Sequence, residues 1–252
     1  MEAYTGFSYV YDRFMQDMPY EEWAVYIKGK LEENGIYSQN STVAELGCGT
    51  GAFTNELARM GYNMIGIDNS EDMLAVASSA DGQDYNSEEG NNRIIYTLQN
   101  MTEFELPYEA DAVVSVCDSM NYLSQDGALD ECLRASYQAL RSRGVILFDM
   151  KKEEFYREEL ADNTFADSME DCAYIWNNYY DADSMINEYE LSVFIEKDGS
   201  YNRCNEYHVQ RAYATGQVEA ALKKAGFVNV QILEHSIDGE NLERIYYMAV
   251  KP

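Results

Sequence analysis

Short apolar runs alternate with amphipathic stretches along the first 150 residues. Trp23, Ile27 and Leu31 recur every four positions, which predicts a helix over residues 20–33. The run TVAEL at 42–46 predicts a short buried strand, and each later apolar run bounded by turn residues predicts another. The predicted strands of this part are 42–46, 63–68, 93–98, 111–117 and 145–150, and the predicted helices are 20–33, the stretch carrying Phe53, Leu57 and Met60, the stretch capped by Ser70, and 126–140.

The order of these elements predicts the fold class. Strands that alternate with helices indicate right-handed crossovers and a mostly parallel sheet with helices on both faces. Gly144 is predicted to end the helix over 126–140, and DGQDYNSEEGNN at 81–92 is predicted to be a surface loop. After residue 212 a helix capped by Thr215 and the strands VNVQILE and RIYYMAV complete the pattern. We therefore predict a Rossmann-like α/β fold with seven strands.

The pattern changes between the fifth and sixth strands. An acidic helical piece over 151–160 is followed by three Tyr-rich segments with alternating polarity. The pair Asp198-Gly199 is a strong signal for a two-residue hairpin turn. These features predict an antiparallel β insertion over residues 151–212, within a single domain that spans 1–252.

The charge balance limits the kinds of molecule that the chain is expected to bind. The chain has 45 acidic and 18 basic residues, giving a formal net charge of −27. Nucleic-acid binding depends on Lys and Arg, so neither a nucleic acid nor an anionic membrane is an expected partner. No apolar run suits a signal peptide or a membrane-spanning helix, so we expect a cytoplasmic protein, either a monomer or a homodimer. The five cysteines are odd in number and lack a C-x-x-C pair, so no disulfide framework and no metal site are predicted.

A glycine-rich turn follows the first strand, in the segment VAELGCGTGAF. Gly47, Gly49 and Gly51 fall at alternate positions, where backbone can approach a ligand closely. Gly47, Gly49 and Ala52 also satisfy a dinucleotide fingerprint. Glu45 stands two residues before the first glycine. The turn by itself is therefore compatible with more than one cofactor.

Two further strand ends supply polar groups to the same edge. In an open α/β sheet the ligand lies beyond the carboxyl ends of the strands. Asp68 ends the second strand, 21 residues after Gly47, and its carboxylate suits the two hydroxyls of a ribose. Gln99, Asn100 and Met101 follow the third strand, where they can reach a base edge or cover its face. These positions predict a site for an adenosine ligand.

Glu45 is the residue expected to discriminate between adenosine ligands. A carboxylate there repels a pyrophosphate but suits a ligand with an ammonium and a sulfonium, and at about 4 Å the difference is worth roughly 4 kcal/mol. S-adenosylmethionine therefore fits better than NAD. The alternatives are a NAD-dependent oxidoreductase and a non-catalytic adenosyl-ligand-binding protein.

Several segments together resemble a known superfamily. VAELGCGTG, MIGIDNSEDML, QNMTEFEL and DAVVSVCDSMNYL are similar to the four successive motifs of class I S-adenosylmethionine-dependent methyltransferases. With YVYDRFMQDMPYEEW and EYHVQRAY, the chain resembles a bacterial group that methylates small molecules. The resemblance implies N- or O-methylation of a small-molecule acceptor, with S-adenosylhomocysteine as the product. The fourth strand has no N-P-P-Y or D-P-P-Y tetrapeptide after it, which disfavours a nucleic-acid base as acceptor.

The resemblance also implies which residues bind the cofactor. The glycine turn would line the methionine part, Asp68 would hold the ribose, Asn69 and Met73 would flank the adenine, and Asn100 would face its amino group. Cys117 and Asp118, which follow the fourth strand, would close the other side of the cofactor. The implied set is Glu45, Gly47, Cys48, Gly49, Gly51, Asp68, Asn69, Met73, Gln99, Asn100, Met101, Cys117 and Asp118.

The acceptor side is less constrained by the sequence. In the resembled group an N-terminal helical segment, residues 1–35 here, forms a lid together with the insertion. His208, Tyr11 or Asp118 is the candidate for a general base, and strand alternation places His208 on the face opposite Arg211. A structural role for His208 and a packing role for Tyr11 stay open. The candidate substrate residues are Tyr11, Asn121, Tyr122, His208 and Arg211, although Asn121 and Tyr122 suit a surface turn equally well.

Overall fold

The computed structural model describes residues 8–15, 18–84, 93–233 and 243–252. The α-helices are α1 (Ser8–Phe14), α2 (Tyr20–Glu33), α3 (Ala52–Arg59), α4 (Glu71–Asp84), α5 (Ala128–Ala139), α6 (Glu153–Phe155) and α7 (Thr215–Ala225). The strands are β1 (Thr42–Leu46), β2 (Asn63–Asp68), β3 (Ile94–Leu98), β4 (Ala110–Ser115), β5 (Leu140–Lys151), β6 (Thr164–Ser168), β7 (Cys172–Asp181), β8 (Ile186–Lys197), β9 (Ser200–Arg211), β10 (Val228–Leu233) and β11 (Arg244–Val250). A π-helical turn over Tyr156–Leu160 continues α6.

Seven strands form the central sheet in the order β10-β11-β5-β4-β1-β2-β3. The neighbours pair in parallel except around β11, which runs antiparallel to both β5 and β10. Buried side chains cover both faces of the sheet; Leu46 and Phe148 belong to one apolar cluster, and Val43 and Leu147 to the other. The predicted Rossmann-like fold is confirmed, and β1 and β2 have the predicted boundaries.

The boundary between α5 and β5 differs from the prediction. The helix ends at Ala139, the strand begins at Leu140, and Gly144 lies inside the strand rather than at a helix end. Leu140 is in register with Ala110 of β4, and the N–H of Arg143 donates to the carbonyl of Lys251. Long-range pairing therefore draws residues 140–144 into the sheet.

The insertion forms a second, four-stranded antiparallel sheet in the order β6-β7-β8-β9. Asp198 and Gly199 both have positive φ, at 54° and 78°, and Lys197 pairs with Ser200 across them. The predicted two-residue hairpin turn is thus present. The first strand of this sheet, β6, is not in the sequence prediction because its residues are mostly exposed and polar.

Two local boundaries differ from the prediction. Thr215 is the first residue of α7 rather than its cap. The cap position is Ala214, whose backbone N–H donates to Gln217 Oε1 at 3.0 Å. The helix α4 extends through residue 84, so the predicted loop over 81–92 begins later. The rest of that loop lies outside the described residues, and so does His235.

Candidate active site

The carboxyl ends of β1, β2 and β3 surround a small cleft. Three strand ends meet there because parallel neighbours end at the same edge of the sheet. All but one of the lining residues belong to the set predicted from the sequence. The cleft is lined by Gly47, Ile67, Asp68, Asn69, Gln99, Asn100 and Met101.

Asp68 fixes the geometry of the glycine turn. Its Oδ2 accepts the N–H of Gly49 at 2.8 Å, and its Oδ1 accepts the N–H of Ser70 at 2.9 Å. Burial raises the pKa of Asp68 above its usual value, while these amide bonds oppose the shift. A carboxylate can accept about four hydrogen bonds, so these amide groups do not use its full capacity. The side chain therefore suits the hydroxyls of a ribose without giving up its backbone contacts.

Gly47 is required by the turn that follows β4. Its φ is +69°, and a Cβ there would lie 2.6 Å from Cβ of Ser119. Ser119 Oγ also donates to the carbonyl of Gly47 at 3.3 Å. The 3₁₀ turn over Ser119–Tyr122 thus rests directly on the glycine turn, which brings the end of β4 against the cleft.

Glu45 does not present a bare charge to the cleft. Its side chain is only 2% exposed and accepts a hydrogen bond from the hydroxyl of Thr54 on α3. Burial raises the pKa of Glu45 to about 8, and the nearby charge of Asp68 adds to the shift. The carboxyl is therefore mostly protonated at pH 7 in the cofactor-free protein. The expectation that a carboxylate here repels a pyrophosphate needs this correction, because desolvation suppresses the charge until a cation arrives.

Glu45→Gln is expected to remove a pH dependence of stability. The pKa of Glu45 is 4.5 in its ordinary state and about 8 in the folded protein. Between pH 4.5 and about pH 8 the folded protein therefore holds a proton that the unfolded chain has lost, and the free energy of unfolding falls as the pH rises. From pH 6 to pH 8 this loss amounts to about 2 kcal/mol. Urea unfolding of both proteins at the two pH values measures it. Equal losses of stability from pH 6 to pH 8 in the wild-type protein and in Glu45→Gln would contradict this prediction.

The residues after β3 use their side chains to hold their own loop. Gln99 Nε2 donates to Thr97 and to the carbonyl of Glu105, while Asn100 Oδ1 accepts both the N–H and the hydroxyl of Thr102 at 3.0 Å. Asn100 must therefore release Thr102 before its carbonyl can face an adenine amino group.

The other residues predicted to flank the cofactor differ in their exposure. Asn69 is exposed on the cleft, whereas Met73 and Cys48 are buried and do not line it. The N–H of Met73 donates to Ser70 Oγ at 3.3 Å, which confirms Ser70 as the cap of α4.

Cys117 and Asp118 follow β4 in a strained conformation, with φ values of 58° and 53°. Asp118 is buried, and its Oδ1 accepts Arg244 Nη1 at 2.7 Å while its Oδ2 accepts Gln210 Nε2 at 2.9 Å. Lys151 Nζ lies 3.6 Å from the same carboxylate. Burial raises the pKa of Asp118, but Lys151 and Arg244 outweigh it and hold the pKa below its usual value. A carboxylate held in this way is a poor general base.

The side chain of His208 lies in a polar chain between the two sheets. Nδ1 of His208 is 3.1 Å from the hydroxyl of Tyr122, and that hydroxyl is 2.6 Å from the hydroxyl of Tyr189. Nε2 of His208 lies 3.2 Å from Glu206 Oε2. His208 and Glu206 are both buried. The sequence identified His208 and Tyr122, and the structure brings them together.

Asn121 and Arg211 have contacts that are mainly structural. Asn121 is fully buried, and its side chain donates to the carbonyl of Arg211 and accepts the N–H of Lys151 at 2.8 and 3.0 Å. It thereby joins β9 to β5. The guanidinium of Arg211 pairs with Asp126 at 3.0 Å, on the face opposite His208.

Helix α1 bridges the glycine turn and the antiparallel sheet. Thr50 Oγ1 donates to Asp12 Oδ1 at 2.5 Å, and Arg13 Nη1 donates to Asp171 Oδ2 at 2.8 Å. Tyr11 packs with Phe14 against the small apolar cluster around Leu191 and Val193. Tyr11 therefore has a packing contact with the insertion.

Similarity over the whole length of the chain identifies its family. Residues 43–144 match the family described as a methyltransferase domain. The chain is 33% identical over 252 residues to a Bacillus subtilis (strain 168) protein named "Putative methyltransferase YqeM", covering 98% of this chain and 97% of that protein. The chain belongs to this methyltransferase family. A similarly named methyltransferase of Geobacillus sp. (strain WCH70) is 32% identical over 254 residues, covering 99% of this chain and all of the relative.

Solved structures share the fold of this methyltransferase. A crystal structure of a S-adenosylmethionine-dependent methyltransferase from Clostridium acetobutylicum ATCC 824 has a TM-score of 0.82 at 24% identity and covers 98% of each chain. The sugar N-methyltransferase KedS8 from Streptoalloteichus sp ATCC 53650 has a TM-score of 0.78 at 16% identity, covering 100% of this chain and 94% of its own. The predicted methyltransferase superfamily is confirmed by the relatives, and the solved structures have the same fold as this chain. Family membership rules against the oxidoreductase alternative.

The sequence analysis identified Asp118 of this methyltransferase but not the charged residues that form an ion network with it. Arg244 Nη1 is 3.2 Å from Asp149 Oδ2, and Asp149 Oδ1 accepts the N–H of Asp118 at 2.8 Å. Burial raises the pKa of Asp149 to about 6 despite the charge of Arg244. One signal was present in the sequence: Asp149 is a lone acid within the apolar run VILFDM, near the carboxyl end of its strand.

The described part of the methyltransferase has neither a candidate membrane span nor a candidate metal cluster. No helix there is long and apolar enough to cross a membrane. In the same ranges, His, Cys, Asp and Glu side chains form no group of three or more that could hold a metal ion.

Proposed function

We propose that this methyltransferase moves the methyl group of S-adenosylmethionine to a nitrogen or oxygen atom of a small molecule and releases S-adenosylhomocysteine. The observation that carries the proposal is the cleft at the carboxyl edge of the sheet. Asp68 and the glycine turn meet there, with acceptor positions left open on the Asp68 carboxylate. A ribose-binding carboxylate beside a close-approach glycine is the arrangement that an adenosyl cofactor needs.

The chain contributes mainly position and a dry environment. Asp68 would hold the ribose, Asn69 and Met101 would cover the adenine, and Gly47 and Gly49 would line the methionine part. When bound, the cofactor supplies an activated methyl group whose leaving group is a neutral thioether. Holding the acceptor in line with that methyl group and excluding water are then the tasks of the surrounding side chains.

The N-terminal segment and the insertion are proposed to form the acceptor side. Through Asp12 and Arg13, α1 links the glycine turn to the antiparallel sheet, so that residues 1–35 and 151–212 act as one lid on a single domain. KedS8, described as a sugar N-methyltransferase, supports an acceptor of similar size. The formal charge of −27 argues against a nucleic acid.

Binding and turnover test the proposal in sequence. Calorimetry is expected to show that S-adenosylhomocysteine binds and NAD does not. Release of S-adenosylhomocysteine is then measured across primary amines, amino sugars and hydroxylated metabolites, with duplex DNA and RNA as controls. We expect turnover with at least one small-molecule class and none with nucleic acid. Binding without turnover throughout the panel would indicate the non-catalytic alternative.

A further inference from the structure

A chain of polar groups leads from the turn beside the cleft into the antiparallel sheet. Tyr122 is the last residue of the 3₁₀ turn whose first residue, Ser119, rests on Gly47. The hydroxyl of Tyr122 contacts His208, which in turn contacts Glu206. Tyr122 is only partly buried, whereas His208 and Glu206 are 2% and 3% exposed. The chain therefore runs from the turn that contacts Gly47 into the buried part of the antiparallel sheet.

The proton positions follow from the partners. A carboxylate can only accept, so Glu206 beside Nε2 favours a proton on that nitrogen. Nδ1 of neutral His208 then carries a lone pair and accepts the hydroxyl proton of Tyr122 at 3.1 Å. Tyr189 stacks on the imidazole with ring centroids 4.5 Å apart and an interplanar angle of 12°, which fixes the ring plane. The hydroxyl of Tyr189 is placed to donate to the Tyr122 oxygen at 2.6 Å.

We propose that Tyr122 is the catalytic base of the methyl transfer and that His208 and Glu206 are positioning residues that make it basic. This inference rests on the proposed function. The acceptor lone pair forms the new bond to the methyl carbon, and the carbon–sulfur bond breaks with its electron pair going to sulfur. The acceptor proton passes to the Tyr122 oxygen while the Tyr122 proton passes to Nδ1 of His208. The resulting imidazolium is balanced by Glu206.

The surroundings of His208 favour this direction of transfer. Within the described ranges, the titratable groups seen in contact with His208 include Tyr122 on the turn, Tyr189 on β8 and Glu206 on its own strand. The charge of the farther Asp118 acts on Tyr189. Asp118 is already held by Arg244 and Gln210, so it does not compete for the proton. Glu206 is thus the charge that a protonated His208 meets first.

Kinetics with an acceptor from the panel above test the catalytic role. Tyr122→Phe and His208→Asn are expected to lower kcat at pH 7 by at least 100-fold, with KM and the affinity for S-adenosylhomocysteine changed less than threefold. Tyr207→Phe, on the exposed face of the same strand, should match the wild type. If Tyr122→Phe and His208→Asn keep kcat within threefold, the proposal is overturned.

Nuclear magnetic resonance tests the relay without any acceptor. The chain has two histidines, so ¹⁵N-histidine labelling gives two imidazoles, and His208→Asn identifies which signals belong to His208. We expect the ring proton on Nε2, with a Nδ1 signal that shifts in Tyr122→Phe and not in Tyr207→Phe. A ring protonated on Nδ1 would overturn the relay. If no acceptor is methylated but the Nε2 tautomer is found, the proposed function fails while the hydrogen-bond arrangement stands.

Discussion

Arg244→Met is expected to lower the free energy of unfolding by about 3–5 kcal/mol at pH 7. The variant removes the buried cation that Asp118 and Asp149 share. The negative charge of the two carboxylates is then balanced by less positive charge. It also removes a guanidinium that lies 5.2 Å from the ring centre of Trp23 on α2. The thermal midpoint should fall by roughly 10 °C. Urea unfolding followed by circular dichroism measures the loss.

Arg59→Met is the matched control. Arg59 is half exposed and pairs with Glu56 on the same helix, so its removal should change stability by no more than about 0.5 kcal/mol. The penalty in Arg244→Met should also shrink as pH falls, because Asp149, with a pKa already raised to about 6, can then bind a proton. Equal unfolding midpoints for Arg244→Met and Arg59→Met would contradict the importance of the network.

Asp68→Ala is expected to raise the dissociation constant for S-adenosylhomocysteine about 100-fold. The variant removes the proposed acceptor for the two ribose hydroxyls, and each hydrogen bond to a charged group is worth about 1.5 kcal/mol. It also frees the N–H groups of Gly49 and Ser70, which loosens the glycine turn. Calorimetric titration measures the change, and Glu71→Ala on the exposed start of α4 should stay within twofold of the wild type.

A thermodynamic cycle separates the ribose contact from the effect on the turn. Removing the 2′-hydroxyl from S-adenosylhomocysteine should weaken binding to the wild-type protein about tenfold, equivalent to one hydrogen bond. Asp68→Ala should bind the deoxy and the parent compounds almost equally. If removal of the 2′-hydroxyl weakens binding by the same factor in the wild type and in Asp68→Ala, Asp68 acts on the turn alone.

Local signals in the sequence account for the cofactor edge of the site. The strand over 42–46, the glycine turn and Asp68 lie close together in the chain, and Asp68 holds the turn directly through the N–H of Gly49. The hairpin at Asp198-Gly199 is equally local, because both positions require positive φ. Such features are predictable because the residues that determine them are close together in the chain.

Long-range pairing accounts for what the sequence analysis missed. Arg244 joins Asp149 and Asp118 across 95 and 126 positions, and no periodicity signals that contact. The start of β5 was missed for the same reason, since Leu140 joins the sheet through Ala110. Glu45 is a different case: its position was evident, but its protonation depends on burial that only the folded structure reveals.

Burial changes the charge that the sequence position of Glu45 suggests. A neutral buried carboxyl beside the cleft costs little in the empty protein and can ionise when a cationic ligand arrives. Glu45 would then couple cofactor binding to proton release, instead of holding a permanent charge. Calorimetry in buffers of different ionisation enthalpy detects such a proton.

A crystal structure of the protein with S-adenosylhomocysteine tests the central claim most directly. We predict density in the cleft at the carboxyl edge of the sheet, with both ribose hydroxyls about 3 Å from the Asp68 carboxylate and the amino acid part against Gly47. Density at another surface, or a ribose that leaves Asp68 bonded only to Gly49 and Ser70, would contradict it.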